Sequence, residues 1–379
     1  LAHHYLSALE LARAAGQPTA DIAEGARDAL REAGDRASSL NSFGAAVRFY
    51  DEALAVGSFD HADRADVRFR RAKALHLAAG EERDEALEEA RKALLEVGDF
   101  ERAAEADALL AEVWWHRGNR DRSRDHLDRA HALVEELPPS AGKAHVLSQV
   151  SRYSALAEES EEAIRVGREA LAMAEALGLD EIRAHALDNI GIGKFNLGDL
   201  TSLDDLEQSI EIALAARSPE AARAYNNLGA FVWQLGDFRR ACALIDEAVA
   251  VGERLGNAAV AKYSRILQIQ QLFGKGEWDE ALHRADAFLA ACEAGEPHYL
   301  ESGIRQDRAA ARLARDDLEG ALEDLAKMLG PARDAGDPQA LVPALVGAAR
   351  LHVEAGRVDE AKSLAREALA QAPASYSLA

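Results

Sequence analysis

The sequence predicts an all-α fold built from about nine stacked helical hairpins. Two observations predict it: small or apolar residues recur at steps of 37 to 40 residues, and alternating strand-like runs are nearly absent. A period of this length is typical of a solenoid, in which each unit buries its apolar side only against its neighbours. The recurring residues are Ala46, Ala86, Ser123, Ala163, Leu203, Ala241, Ala281, Ala321 and Ala361.

The sixth repeat shows how each unit is built. Tyr225, Leu228, Gly229 and Val232 have the spacing of one face of an amphipathic helix. Gly236 then interrupts the pattern, since glycine suits the left-handed residue that ends a helix. A second apolar stripe follows, so each unit is predicted to be an antiparallel hairpin whose small residues let the two helices approach closely.

Two positions depart from the simplest pattern. Repeat seven carries Ile269 where the other first helices have a small residue, which predicts a looser crossing in that hairpin. Trp278 follows the turn of the same repeat, and we predict that it packs in the core.

These residues resemble the tetratricopeptide repeat (TPR), whose pattern contains Leu-Gly in the first helix and two alanines in the second. The family period is about 34 residues. The longer period here is similar to that of the carboxy-terminal repeats of bacterial signalling ATPases, which are linked to class III adenylate or guanylate cyclases or resemble maltose-type transcription regulators. The resemblance implies a right-handed α-α superhelix of about nine hairpins plus an N-terminal helix.

The N-terminal stretch carries the second part of the resemblance. Residues 3–11 and 33–50 are similar to the join between the nucleotidase module and the repeats in such ATPases. We therefore predict a helix and linker over 1–26, at the junction to an upstream module. The TPR-like repeats are predicted over 27–371 and a carboxy-terminal tail over 372–379. Because the first residue is Leu1 rather than Met, we expect the chain to be part of a longer protein.

The composition excludes several classes of partner. The chain has 44 basic and 66 acidic residues, a net charge of −22, and no sustained basic cluster, so we expect no direct nucleic-acid binding. No apolar stretch approaches the length that spans a bilayer, and only two cysteines occur, so we expect no membrane partner and a cytoplasmic location.

The search for chemistry yields no catalytic constellation. The nearest phosphate-loop candidate, residues 191–195, lacks its first glycine and the hydroxyl residue after Lys194. The histidines and cysteines do not have metal-ligand spacing. The sequence therefore predicts that this chain is not an enzyme and has no metal or cofactor.

The remaining candidate site is the groove. In the TPR family the first helices line a concave surface that binds peptides, and the residues here that match those positions can form hydrogen bonds or aromatic contacts with a ligand. The candidate residues are His185, Asp188, Asn189, Phe195, Asn196, Arg223, Asn226, Asn227, Trp233, Gln234, Trp115 and Arg152. The alternative is that the asparagines bond to neighbouring helices and that Trp115 and Trp233 pack between repeats.

Three functions remain open. The leading hypothesis is a noncatalytic region that senses a protein or ligand and relays its presence to an attached NTPase and effector, either a cyclase or a transcription regulator. Its partner would be a protein or peptide in the groove, or the upstream domains of the same chain. The alternatives are a passive assembly scaffold without switching and a helical-repeat protein that binds a small molecule.

Overall fold

The computed structural model describes residues 2–40, 42–56, 59–78, 80, 82–117, 119–295, 298, 300–335 and 338–371. Across these residues the secondary structure consists of nineteen α-helices, without a strand, which confirms the all-α helical-repeat fold. Helix α1 precedes the hairpins, and each hairpin then has a first helix of even number and a second helix of odd number. The predicted tail, 372–379, lies outside the described residues.

The helices in chain order are α1 Ala2–Ala14, α2 Ala20–Ser39, α3 Phe43–Val56, α4 His61–Leu77, α5 Arg83–Glu96, α6 Phe100–His116, α7 Arg120–Glu135, α8 Ala141–Leu156, α9 Ser160–Leu177, α10 Asp180–Asn196, α11 Ser202–Ala215, α12 Glu220–Gln234, α13 Phe238–Leu255, α14 Ala258–Lys275, α15 Trp278–Glu293, α16 Glu301–Leu313, α17 Leu318–Ala335, α18 Pro338–Glu354 and α19 Val358–Gln371. The chain divides into two compact units. Unit 1 contains residues up to 150 except 117–120, and unit 2 contains 117–120 and the residues from 151 onward.

Unit 1 has an apolar core between successive hairpins. Leu30 and Tyr50 are buried between α2 and α3, and Leu87 and Leu94 of α5 are buried between α4 and α6. A Cβ on Gly34 would lie 2.5 Å from the Tyr50 ring, so the aromatic ring occupies the space that the glycine leaves. The hydroxyl of Tyr50 donates a hydrogen bond to a neighbouring carboxylate, which satisfies its polar end.

The hairpins of unit 2 cross at small residues, as the sequence predicts. A Cβ on Gly229 would lie 2.8 Å from Ile245 Cδ1, and one on Gly191 would lie 2.9 Å from Leu206 Cγ. Such distances are too short for a real side chain, because interiors are packed near crystal density. The small residues therefore set how closely the two helices of a hairpin approach.

The periodic residues are mostly internal. Seven of the nine are buried, whereas Ala86 and Leu203 are only partly buried. In these two repeats the adjacent residue, Leu87 or Ser202, is fully buried instead. The core register of the second helix is thus displaced by one residue in repeats two and five.

The turn glycines have the predicted conformation. Gly236 has φ +87° between α12 and α13, and Gly256 has φ +85° where α13 ends. This is the left-handed region, which costs an L-residue free energy because its Cβ approaches the backbone. The second glycine ends a second helix of 18 residues, so longer helices account for part of the extended period.

Repeat seven is less tightly packed than the others in unit 2. The backbones of α14 and α15 come close at fewer residue pairs than those of the other hairpins from α10 onward, which agrees with the predicted loosening. The prediction for Trp278 is wrong in part. The side chain is half-buried at the start of α15, where its Nε1 donates to the Phe273 carbonyl oxygen at 3.0 Å. The indole N–H is satisfied at the surface edge of the hairpin rather than in the core.

Repeat eight contains a buried charge network. Asp324 of α17 accepts hydrogen bonds from Nε and Nη2 of Arg308, and Nη1 of Arg312 lies 3.0 Å from its Oδ2. Arg305 is closer than 4 Å to the same carboxylate, at 3.6 Å. Several guanidinium groups thus replace the hydration that this carboxylate loses on burial.

Candidate functional site

The first helices of unit 2 form a continuous layer, which we call the first-helix layer and define as α10, α12, α14, α16 and α18. Each of these helices contacts the next one along the layer, in addition to its own hairpin partner. Side chains on this face therefore meet side chains from a neighbouring repeat. This is the face to which the sequence assigns most of its candidate residues.

The structure brings five predicted residues together between α10 and α12. Asp188 Oδ2 lies 2.9 Å from Arg223 Nη1 and accepts from Asn227 Nδ2 at 2.9 Å. The same Nη1 donates to Asn189 Oδ1 at 3.0 Å, and Asn189 Nδ2 lies 3.2 Å from His185 Nδ1. The five polar groups form one connected network between two repeats.

This network is largely shielded from solvent. Asp188 and Asn189 are buried, and the Arg223 side chain is 11% exposed. Burial raises the pKa of Asp188, while the Arg223 guanidinium opposes that rise. Nη2 of Arg223 is also buried and makes no hydrogen bond to the described residues. The pair orients α10 against α12.

Asn226 makes a separate contact between repeats. Its Oδ1 accepts a hydrogen bond from Ser264 Oγ of α14 at 3.0 Å, and both side chains are buried. Asn226 and Asn227 therefore point to different neighbours, the first toward α14 and the second toward α10. Both asparagines bond to neighbouring helices, as the alternative interpretation expects.

Two of the predicted aromatic residues, Phe195 and Trp233, contact other aromatic rings. Phe195 stacks on Phe231, with ring centroids 3.9 Å apart. Trp233 meets Phe238 edge-on at 4.6 Å, and a Cβ on Gly274 would lie 2.5 Å from the Trp233 ring. The missing side chain at Gly274 thus makes room for the indole, so Trp233 packs across the boundary between repeats six and seven.

The remaining candidates differ in their surroundings. Asn196 and Gln234 are exposed at equivalent positions near the ends of α10 and α12. The Arg152 guanidinium lies over the Tyr153 ring, 5.3 Å from its centroid. Trp115 is half-buried in α6 of unit 1 and so is not part of the cluster in unit 2. The exposed amides of Asn196 and Gln234 are the most accessible of the predicted groups.

Sequence reasoning missed one polar pair further along the layer. Gln270 Nε2 of α14 donates to Asp307 Oδ2 of α16 at 3.1 Å, and Asp307 is half-buried. Asp307 stands two residues before the small residue Ala309, the same repeat position as Asn189 and Asn227. That shared position was the signal that could have identified it.

Unit 1 contains a separate open cleft of about 730 Å³ beside α4 and α6. One of its carboxylates is paired with two arginines: Asp66 lies 2.8 Å from Arg70 Nε and 2.7 Å from Arg102 Nη1. Glu101 accepts from Ser140 Oγ at 2.6 Å. The cleft therefore presents both paired charges and a carboxylate, Glu101, that is bound by a neutral hydroxyl.

Two further searches concern metal and membrane. In the described ranges, no group of three His, Cys, Asp or Glu residues has a geometry that could hold a metal ion. Over the same residues, no helix combines the length and the apolar character needed to cross a bilayer.

Comparison with known proteins places the fold. No family model matches the chain. No curated protein sequence matches it significantly. Among solved structures, a Rap protein complexed with competence and sporulation factor is similar at TM-score 0.67 and 14% identity, over 92% of this chain and 98% of that one. The fold is that of a TPR-like helical-repeat protein.

Two more structures were compared. The Rap conjugation gene regulator of plasmid pLS20, in complex with the Phr* peptide, is similar at TM-score 0.58 and 13% identity, over 91% of this chain and 94% of that one. A signal transduction ATPase with a tetratricopeptide repeat sensor from Pyrococcus horikoshii has TM-score 0.49 and 15% identity, over 86% of this chain and 52% of that one. At these identities the likeness concerns the fold alone.

Proposed function

We propose that this chain is a noncatalytic helical-repeat region that binds a protein or peptide partner on the first-helix layer of unit 2. The observation that carries the proposal is the arrangement of this layer. Buried polar pairs hold neighbouring first helices in register, and exposed amides lie beside half-buried aromatic rings on the same helices. Amides can bond to both the N–H and the C=O of an extended peptide, and aromatic side chains supply contact area.

The similar structures support the same proposal. Two of the Rap structures of the same fold contain a bound factor or peptide, namely competence and sporulation factor and Phr*. Binding of a peptide by this chain would use the fold in the same way. The buried candidates Asp188, Asn189, Arg223, Asn226 and Asn227 then act by positioning helices, while Asn196, Gln234 and the aromatic rings act by contact.

The test compares exposed amides on and off the layer. Asn196→Ala combined with Gln234→Ala removes two exposed amides from the layer, and Gln208→Ala removes one from the exposed face of α11. A partner is captured from a lysate of the source organism with the tagged chain, identified by mass spectrometry, and titrated against each purified variant. We expect the double variant to weaken binding about tenfold, as the loss of one or two hydrogen bonds does, and Gln208→Ala to leave it unchanged.

Equal affinity of the double variant and the wild type would refute binding at this face. The melting temperature is measured alongside, because exposed substitutions should leave it unchanged. A fall in melting temperature that accompanies the loss of affinity would assign the amides to structure instead.

Relay of the signal is the finer part of the proposal. In a parent protein that carries an NTPase module, partner binding would favour one state of that module, which requires different affinities in the two states. The partner's affinity is therefore measured for the whole protein with and without ATP. A difference supports relay to an effector, and equal affinities support the passive scaffold.

A further inference from the structure

Asp307 is a half-buried carboxylate in the first-helix layer that has no basic partner among the described residues. In the described part of the chain, its one hydrogen bond comes from the neutral amide of Gln270, at 3.1 Å, and no Lys, Arg or His nitrogen lies within 4 Å of it. A neutral donor stabilises a carboxylate less than a guanidinium does. The second oxygen, Oδ1, is left for a group from outside.

The other buried carboxylates of unit 2 differ from Asp307 in this respect. Asp188 is paired with Arg223, and Asp324 is surrounded by three arginines. All three of those arginines lie on the same helix as Asp307, yet each is directed toward other acids. The helix thus carries enough positive charge to pair Asp307 but does not use it there.

The consequence is an ionised group that the protein itself does not neutralise. Burial raises the pKa of Asp307 to about 6, against the opposing hydrogen bond from Gln270. At neutral pH the carboxylate is therefore mostly charged, at a cost in free energy. A cation supplied by a ligand would remove part of that cost.

The neighbouring first helix adds an apolar surface. Val346 and Val353 of α18 are 55% and 58% exposed, and their separation of seven residues puts them on one side of the helix. Helix α18 packs on α16 at Gly347, where a Cβ would lie 2.7 Å from the Gln306 side chain. The basic residue between the two valines, Arg350, pairs with Glu354 at 3.1 Å. An acid and an exposed apolar stripe thus occur on adjoining helices of one layer.

We propose that Asp307 anchors the ammonium group of a lysine side chain or free amine of the bound peptide, and that the valines of α18 contact the apolar part beside it. This inference rests on the proposed function and specifies the ligand at the end of the layer formed by α14, α16 and α18. A ligand with both features would pair the carboxylate and cover apolar surface in one step.

The probe for this site is dansylcadaverine, which joins a primary ammonium to a five-carbon chain and a fluorescent aromatic group. Its N-acetylated form is the neutral control. Fluorescence titration against the full chain gives the affinity of each probe. We expect the wild type to bind the amine about tenfold more tightly than the acetylated form, as a charge-assisted hydrogen bond would produce.

Matched variants locate the binding. Asp307→Asn keeps an oxygen for the Gln270 hydrogen bond and removes the charge, and Asp359→Asn removes a 98% exposed carboxylate elsewhere in unit 2. Val346→Ser and Val358→Ser form the corresponding apolar pair, since Val358 is exposed at the start of α19. We expect Asp307→Asn to abolish the preference for the amine and Val346→Ser to weaken both probes. The two controls should remain within about twofold of the wild type.

The proposal is overturned if the wild type does not prefer the amine or if Asp307→Asn retains the preference. It is also overturned if Asp359→Asn loses the preference equally, because the amine would then be attracted to the net negative charge of the chain. These results are distinct from failure of the proposed function. If amine binding depends on Asp307 but the Asn196 and Gln234 variants do not change the affinity for a partner, peptide binding is refuted. Asp307 would then belong to a site for small amines. The reverse result would refute only the assignment of Asp307.

Discussion

Replacing Asp307 by asparagine should stabilise the protein at neutral pH, although the substitution removes a charged group from a polar contact. Asparagine keeps an oxygen that can accept from Gln270 Nε2, so the hydrogen bond between α14 and α16 survives. What the substitution removes is an ionised carboxylate that has no cationic partner among the described residues. A single buried charge without a partner destabilises the folded state relative to the unfolded chain.

The size of the effect follows from the pKa of Asp307, which burial raises from 3.8 to about 6. In the folded state the group therefore binds a proton more tightly than in the unfolded state, so stability falls as pH rises between these two values. A pKa difference of about 2 corresponds to about 3 kcal/mol when both states are ionised. Because the side chain keeps some access to solvent, we expect a gain of about 1–3 kcal/mol for Asp307→Asn near pH 7.5.

The assay is urea unfolding of both proteins at about pH 7.5 and about pH 4, since the carboxylate is protonated in the folded state at the lower value. We expect the stability difference to shrink below about 1 kcal/mol at the lower pH. Asp359→Asn, at an exposed site, serves as the control and should show no comparable pH dependence. A less stable Asp307→Asn protein at neutral pH, or a difference that does not change with pH, would refute this reasoning.

Three further predictions concern packing and backbone. Gly34→Ala should lower the free energy of unfolding by about 1–3 kcal/mol because the new Cβ would overlap a buried ring. Gly44→Ala is the control and should not destabilise the protein, because its Cβ would meet nothing within 4 Å. Chemical denaturation of both variants tests this, and equal effects would contradict it. Asp324→Asn leaves the buried Arg308 with only the exposed Asp286 as counter-charge and should cost about 3–5 kcal/mol. Urea unfolding measures the loss, and a loss under about 1 kcal/mol would show that the pair is solvated. Gly236→Ala should cost about 1 kcal/mol at φ +87°, and Gly236→Asn less, so a reversed order in thermal melts would argue against the left-handed turn.

The sequence predicts most of the architecture because the constraints that create it are local. The residue at a hairpin crossing, such as Gly229, must be small because the two helices approach closely there. The turn residue, such as Gly236, must accept a left-handed backbone because the chain reverses there. Both requirements recur in several repeats, so the period exposes them. The one-residue displacement at Leu203 was not predictable, because Leu203 and Ser202 both satisfy the pattern and only the packing against α10 selects between them.

The site was less predictable because its contacts join different repeats. The sequence identified Asn226 and Asn227 but could not show that the first bonds to Ser264 and the second to Asp188, each about one repeat away. Asp307 was missed for a related reason. Its repeat position was recognisable, but the absence of a basic partner depends on where the arginines of its own helix point, which periodicity does not determine.

The loosely packed seventh hairpin, α14 with α15, is followed by an equally sparse junction between α15 and α16. In an array whose cooperativity is transmitted only between neighbours, a weak junction separates the chain into blocks that open independently. Amide protons of the fifth and sixth repeats should therefore exchange with solvent as one group, and those of the eighth and ninth as another. A molecule that contacts both blocks would couple them. The repeats on either side of the weak junction would then open together when the ligand is bound, without any change in the structure of a single repeat.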